Sequence, residues 1–130
     1  MLTARYEGPD VRRDLPPLGV RLSPDSSDVA DFLHDESKLG ASHIASLAVP
    51  ESVDELRAVM RWHALAGNRV AFSASRTGVT GGGVPEDGAH VVSVAALRGV
   101  KSVDADADTP TITVFAGTWL AEMNLWLSEH

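Results

Sequence analysis

The sequence predicts an α/β (α+β) fold, a small parallel β-α-β unit followed by the start of an antiparallel sheet. Three observations predict it. An apolar run ending at Pro50, a capped helical segment and a second apolar run at 69–73 follow one another closely. A period-two stretch, Thr111 to Ala116, comes later and reads as a half-buried strand. Between them lies Ser73-Ala74-Ser75-Arg76-Thr77-Gly78-Val79-Thr80-Gly81-Gly82-Gly83-Val84-Pro85, where four glycines and four hydroxyl residues interrupt the apolar pattern.

Residues 1–24 carry Gly8-Pro9-Asp10 and Pro16-Pro17 and show neither helical nor strand period, so an irregular N-terminal arm is expected, with the domain proper over 25–130. Asp25-Ser26-Ser27-Asp28 then supplies cap-type residues for a short helix whose Val29, Phe32 and Leu33 share one face. His34-Asp35-Glu36 and His43 follow without a second histidine at helical ligand spacing; a solvated surface is expected there, and no metal.

Ile44 to Val49 is a short strand. Ser52-Val53-Asp54-Glu55 has the form of a capping box, and Gly67-Asn68 supplies a left-handed stop, so a helix is expected to about Ala66. Its buried stripe is read as Val53, Leu56, Met60 and Ala64, flanked by Val59 and Leu65, with Trp62 and His63 as packing or surface residues. Arg69 to Ser73 is the next strand. Strand, helix and strand over this length imply a right-handed crossover between parallel strands. The glycine loop then leaves the carboxyl end of a parallel strand, where ligands sit in open α/β sheets.

Glycines let a backbone approach a ligand closely and take φ > 0, and successive N–H groups in such a loop can converge on an anion. The hydroxyls of Ser73, Ser75, Thr77 and Thr80 add donors, so a diphosphate is the expected ligand; a mobile surface connection is the alternative. No Gly-Lys-Ser/Thr follows the glycines and no Gly-x-Gly-x-x-Gly opens a helix, which excludes a P-loop and a Rossmann turn.

Ala89 to Val94 and Gly99 to Asp104 read as strands, the second paired antiparallel with Thr111 to Ala116 across Asp104-Ala105-Asp106-Ala107-Asp108. Those aspartates lack the glycine and the glutamate of a calcium loop. Gly117-Thr118 opens a last helix, Trp119 to about Ser128, with apolar residues on more than one face.

The 130 residues are one domain's worth, 44% apolar and 22% charged, with a net charge of −7 that disfavours nucleic acid. There are no cysteines and no apolar run of membrane-span length. The start lacks an apolar leader, so a cytoplasmic location is expected.

Thr77-Gly78-Val79-Thr80-Gly81-Gly82-Gly83-Val84-Pro85, together with Thr113-Val114-Phe115-Ala116-Gly117-Thr118-Trp119-Leu120, resembles the N-terminal part of the FAD-binding domain of FAD-linked oxidases. This is the p-cresol-methylhydroxylase/vanillyl-alcohol-oxidase superfamily, and within it the glycolate oxidase subunit and D-lactate dehydrogenase branch. The resemblance covers about residues 28–130. It implies a partial FAD-binding domain whose loop residues Ser73, Ala74, Ser75, Arg76, Thr77, Gly78, Thr80 and Gly81 grip the pyrophosphate, with Gly82 allowing close approach. It implies no catalytic residue in this piece.

The implied reaction is hydride transfer from a 2-hydroxy acid such as glycolate or D-lactate to flavin, needing the several hundred further residues of family members. The loop carries no histidine or cysteine for covalent attachment, so non-covalent FAD is expected. Arg76 stands where the family usually has a small residue, and would incur about 1 kcal/mol if φ > 0 were required there. A non-catalytic module that self-associates or is completed by a partner chain is the alternative, as is a nucleotide- or phosphate-binding domain unrelated to flavin.

Overall fold

The computed structural model describes residue 17, residues 20–21, 27–106 and 108–130. Its order of elements is β1 (Val20–Arg21), α1 (Ser27–Ala30), β2 (Ser46–Ala48), α2 (Val53–Ala66), β3 (Val70–Ser73), β4 (His90–Ser93), β5 (Val100–Asp104), β6 (Thr111–Val114) and α3 (Leu120–Glu129). The predicted α/β class holds. A four-stranded sheet has the order β1-β2-β4-β3, and β5 and β6 form a separate antiparallel pair.

The strands and the first helix differ in detail from the sequence reading. Val20–Arg21, inside the stretch expected to be irregular, pairs antiparallel with β2; nearly all the rest of that arm, and the cap-type Asp25 and Ser26, lie outside the described residues. The first helix is a single turn, after which Phe32 and Leu33 still pack with Val29. Most consequentially, β2 and β3 are parallel but not neighbours, because β4 inserts between them and pairs in parallel with both. The glycine loop therefore lies within the parallel unit, as the connection from β3 to β4, rather than between the two sheets.

Side chains alternate across β2 and β4 and so build a core on each face. Leu47 and Val91 face Val29, Ile44, Phe32 and Leu33. Ala48 and Val92 face α2 through Val59, Leu56 and Met60.

Helix α2 starts and stops where the sequence says. Ser52 Oγ accepts from Glu55 N–H at 3.1 Å, while the Glu55 carboxylate accepts from Glu51 N–H at 2.7 Å, one residue outside the usual capping box. Gly67 closes it at φ 68°. The buried stripe is rotated from the expected one: Val59, Trp62 and His63 are buried, and Val53, Ala64 and Leu65 are exposed. The reason is the insertion of β4, which brings His90 beneath the C-terminal half of the helix. The ring centroids of His63 and His90 stand 4.7 Å apart, and those of Trp62 and His63 4.6 Å.

The second sheet hangs from the end of β4. Gly117 N–H donates to Leu97 O at 2.9 Å, and a Cβ at Gly117 would meet Leu97 O at 2.8 Å and Ala95 O at 2.9 Å, so only glycine fits this crossing. No residue of α3 is buried.

Candidate functional site at the carboxyl end of the parallel sheet

All three parallel strands end on the same side, and the chain leaves β3 there into 16 residues, 74–89, without helix or strand. Among the described residues, no amide from Ala74 to Gly83 donates to a backbone carbonyl; the first that does is Val84, to Gly81 O at 3.0 Å. The hydroxyls of Ser75, Thr77 and Thr80 make no hydrogen bond to a described residue. N–H groups and hydroxyls that are not used within the protein can donate to a ligand, and a diphosphate is a ligand that accepts many such bonds. The fit of the residues to such a group is therefore chemical as well as topological.

Positive φ occurs in this loop at Arg76 (56°), Gly81 (77°) and Gly88 (74°), so the strain expected for a side chain at position 76 is present. The Arg76 guanidinium lies 4.9 Å from the Phe32 ring centroid and 4.0 Å from Asp31 Oδ2, on the side of α1. A stacking contribution of about 0.5–1 kcal/mol offsets much of that strain.

Ser73, Ala74, Ser75, Arg76, Thr77 and Gly78 line one cleft of about 190 Å³, closed by Asp35 and Gly83. Thr80, Gly81 and Gly82 lie outside it. Gly81 is held against Leu39, whose Cδ1 would stand 2.7 Å from an added Cβ. Gly82 has ordinary φ, and an added Cβ would meet nothing nearer than Thr80 Oγ1 at 3.8 Å, so the protein itself does not require glycine at 82.

Sequence reasoning missed two parts of this site. A second cleft, about 570 Å³, brings Ser75 and Thr77 against Thr118, Trp119 and Leu120 at the start of α3, where Arg98 stacks 4.0 Å from the Trp119 ring. The other is the segment 35–39 beneath the loop, whose Asp35 and Glu36 read from sequence as solvated surface. Asp35 is only 6% exposed, and its Oδ1 accepts Ser37 N–H at 2.8 Å. The available signal was Asp35-Glu36-Ser37, an aspartate two residues before a hydroxyl residue, the pattern of a local side-chain turn.

Comparison with known proteins places these features. A family model described as "FAD binding domain" matches residues 44–130. A D-2-hydroxyglutarate dehydrogenase of Xanthomonas citri pv. viticola is 34% identical over 98 residues, 75% of this chain and 20% of that protein. The fold superposes on p-cresol methylhydroxylase with a TM-score of 0.66 at 12% identity, covering 85% of this chain and 22% of the other. It also superposes on xylooligosaccharide oxidase of Myceliophthora thermophila C1 with a TM-score of 0.64 at 20% identity, covering 91% and 24%. Glucooligosaccharide oxidase of Acremonium strictum, whose FAD is described as 6-S-cysteinyl and 8α-N1-histidyl, gives 0.61 at 23% identity, covering 82% and 22%. The chain thus spans about a fifth of the length of the curated relative it matches.

Proposed function

The chain belongs to the FAD-binding domain family of FAD-linked oxidoreductases, the p-cresol-methylhydroxylase/vanillyl-alcohol-oxidase superfamily, and on that footing we propose that its glycine loop holds the diphosphate of FAD. The residues assigned to the grip are Ser73, Ala74, Ser75, Arg76, Thr77, Gly78, Thr80 and Gly81, with Gly82 left open for close approach. The observation that carries this reading is the run of amides from Ala74 to Gly82, at the carboxyl end of β3, that donate to no backbone carbonyl among the described residues. Charge-assisted bonds of this kind contribute roughly 1.5–3 kcal/mol each, so three or four suffice to anchor a diphosphate.

In this reading the loop holds FAD non-covalently, because it contains no cysteine and no histidine for attachment. The substrate class is a 2-hydroxy acid such as glycolate or D-lactate, supported by the relative named for 2-hydroxyglutarate. Bound flavin supplies the redox chemistry. This chain's residues bind and orient it, and turnover needs the part of the protein that its relatives carry beyond this region. A location in the cytoplasm fits this reading, and no helix among the described residues is long and apolar enough to cross a membrane.

The test is an FAD titration of the purified chain, following flavin absorbance and thermal stability together. FAD raises the melting temperature and co-elutes with the protein; ADP alone does so less, since it lacks the flavin half. Absence of both effects at excess FAD sinks the assignment, and an equal shift with ADP turns it into a general nucleotide site. A second reading, a non-catalytic module completed by a partner chain or by its own copy, is favoured by α3, none of whose residues is buried.

A further inference from the structure

The segment beneath the glycine loop presents alternate residues to the glycines. Asp35 faces Gly78 and Gly83, where an added Cβ would stand 3.3 Å and 3.8 Å from Asp35 Oδ2. Ser37 and Leu39 face Gly81 in the same way, at 3.5 Å and 2.7 Å. Asp35 is the charged member of this cradle. Its Oδ1 is satisfied by Ser37, but Oδ2 is buried with no hydrogen bond of full geometry among the described residues. Contacts with Ser37 hold the carboxyl below the usual carboxylate range against the opposing effect of burial, and the Gly83 N–H adds to them from the loop side.

A buried carboxylate oxygen with no partner is expensive, and N–H dipoles are what relieve it. The donors within reach belong to the loop. Resting on the FAD reading, we propose that Asp35 is the positioning residue of the glycine loop. From behind, its Oδ2 draws in the Gly83 amide and packs against Gly78, fixing the loop so that the other amides are left for the diphosphate. The same charge has an opposing effect, since a carboxylate near a diphosphate repels it. The two effects change affinity in opposite directions when the charge is removed, so the sign of one measurement separates them.

Asp35→Asn keeps the shape and the Ser37 contact but places either a neutral oxygen or an NH2 group against Gly83. If Asp35 positions the loop, the Kd for FAD rises about tenfold or more while the melting temperature of the FAD-free chain changes by only a few degrees. An unchanged or lower Kd overturns the proposal. Amide exchange by NMR in the FAD-free chain supplies a readout independent of flavin. The Gly83 amide exchanges slowly in the wild type and at least about tenfold faster in the variant, with α2 amides unchanged. Equal Gly83 rates overturn the proposal, as does an unprotected Gly83 amide in the wild type, which needs no variant to measure. Should the wild type fail to bind FAD while Gly83 protection still depends on Asp35, the cofactor assignment fails and the positioning role stands.

Discussion

Glycines 81 and 82 are neighbours in sequence and separate in physics. Gly81 takes φ 77° and lies against Leu39, so alanine there meets both backbone strain and a side chain that must move. Gly81→Ala is expected to lower the stability of the FAD-free chain by about 1–2 kcal/mol, read by urea unfolding. Gly82 has ordinary φ and room for a methyl group within the protein. Gly82→Ala is therefore expected to leave unfolding of the free chain nearly unchanged and to weaken FAD binding about tenfold, because the only thing its methyl obstructs is the ligand. Equal FAD affinity in Gly82→Ala would mean that the diphosphate does not approach the loop at this point.

His63 gives a second prediction at the same scale. It is 1% exposed, its Nε2 has no partner among the described residues, and burial first and the neighbouring His90 second push its pKa down to about 4. Burial lowers the pKa of His90 as well. An unfolded imidazole titrates near 6.5, so between that pH and about 4 the unfolded chain binds more protons than the folded one. Stability is thus complete above pH 6.5 and declines as pH falls through this window, by on the order of 2 kcal/mol from His63. The lowered carboxyls of Asp35 and Asp87 act with the same sign, but from 3.8 downward. Unfolding free energies measured from pH 7.5 to 4.5 should show this slope, and His63→Gln should flatten it; an equal slope in the variant would assign the acid sensitivity elsewhere.

Among the elements, helix α2 was the most legible, because its boundaries are written in side chains that act within four residues of themselves. Ser52 caps it and Gly67 ends it, as their positions in sequence require. Ser52→Ala should cost about 1 kcal/mol in thermal or urea unfolding, with the helix otherwise intact. The face that α2 buries was not legible, since it depends on which strand lies beneath it. Strand β4 follows β3 in sequence yet sits between β2 and β3, a non-local choice that no spacing within the chain encodes. The glycine loop announced itself through composition, whereas Asp35, four decades of sequence away from Gly78 and Gly83, looked like one more surface acid. It is buried where the loop returns over residues 35–39 and sets Gly78 and Gly83 against its carboxylate.

At the scale of the whole molecule, the parallel sheet is covered on both faces but unprotected at one side and at one end. Strand β3 is an edge strand, and Phe72 on it is half exposed. Helix α3 leaves Leu120, Leu125 and Leu127 exposed, with Trp119 at its start. Leu120 and Leu127 are seven residues apart, two turns along one face, so they form a stripe rather than scattered contacts. An apolar stripe and an unpaired strand edge each favour association, the stripe because burying it removes apolar surface from water at roughly 25 cal/mol per Å². The isolated chain is therefore expected to sediment with a mass above the monomer that rises with concentration. Leu120→Lys/Leu127→Lys should return it to a concentration-independent monomer, and Leu127→Lys alone, which spares the cleft that Leu120 lines, should weaken association with unchanged affinity for FAD. A wild-type chain that stays monomeric across the micromolar range would show that α3 is too narrow a surface to hold a second copy, and association would then have to come from the β3 edge or not at all. Should the double lysine variant remain associated while losing flavin, the cleft shared by Thr77 and Leu120 would belong to the cofactor rather than to an interface.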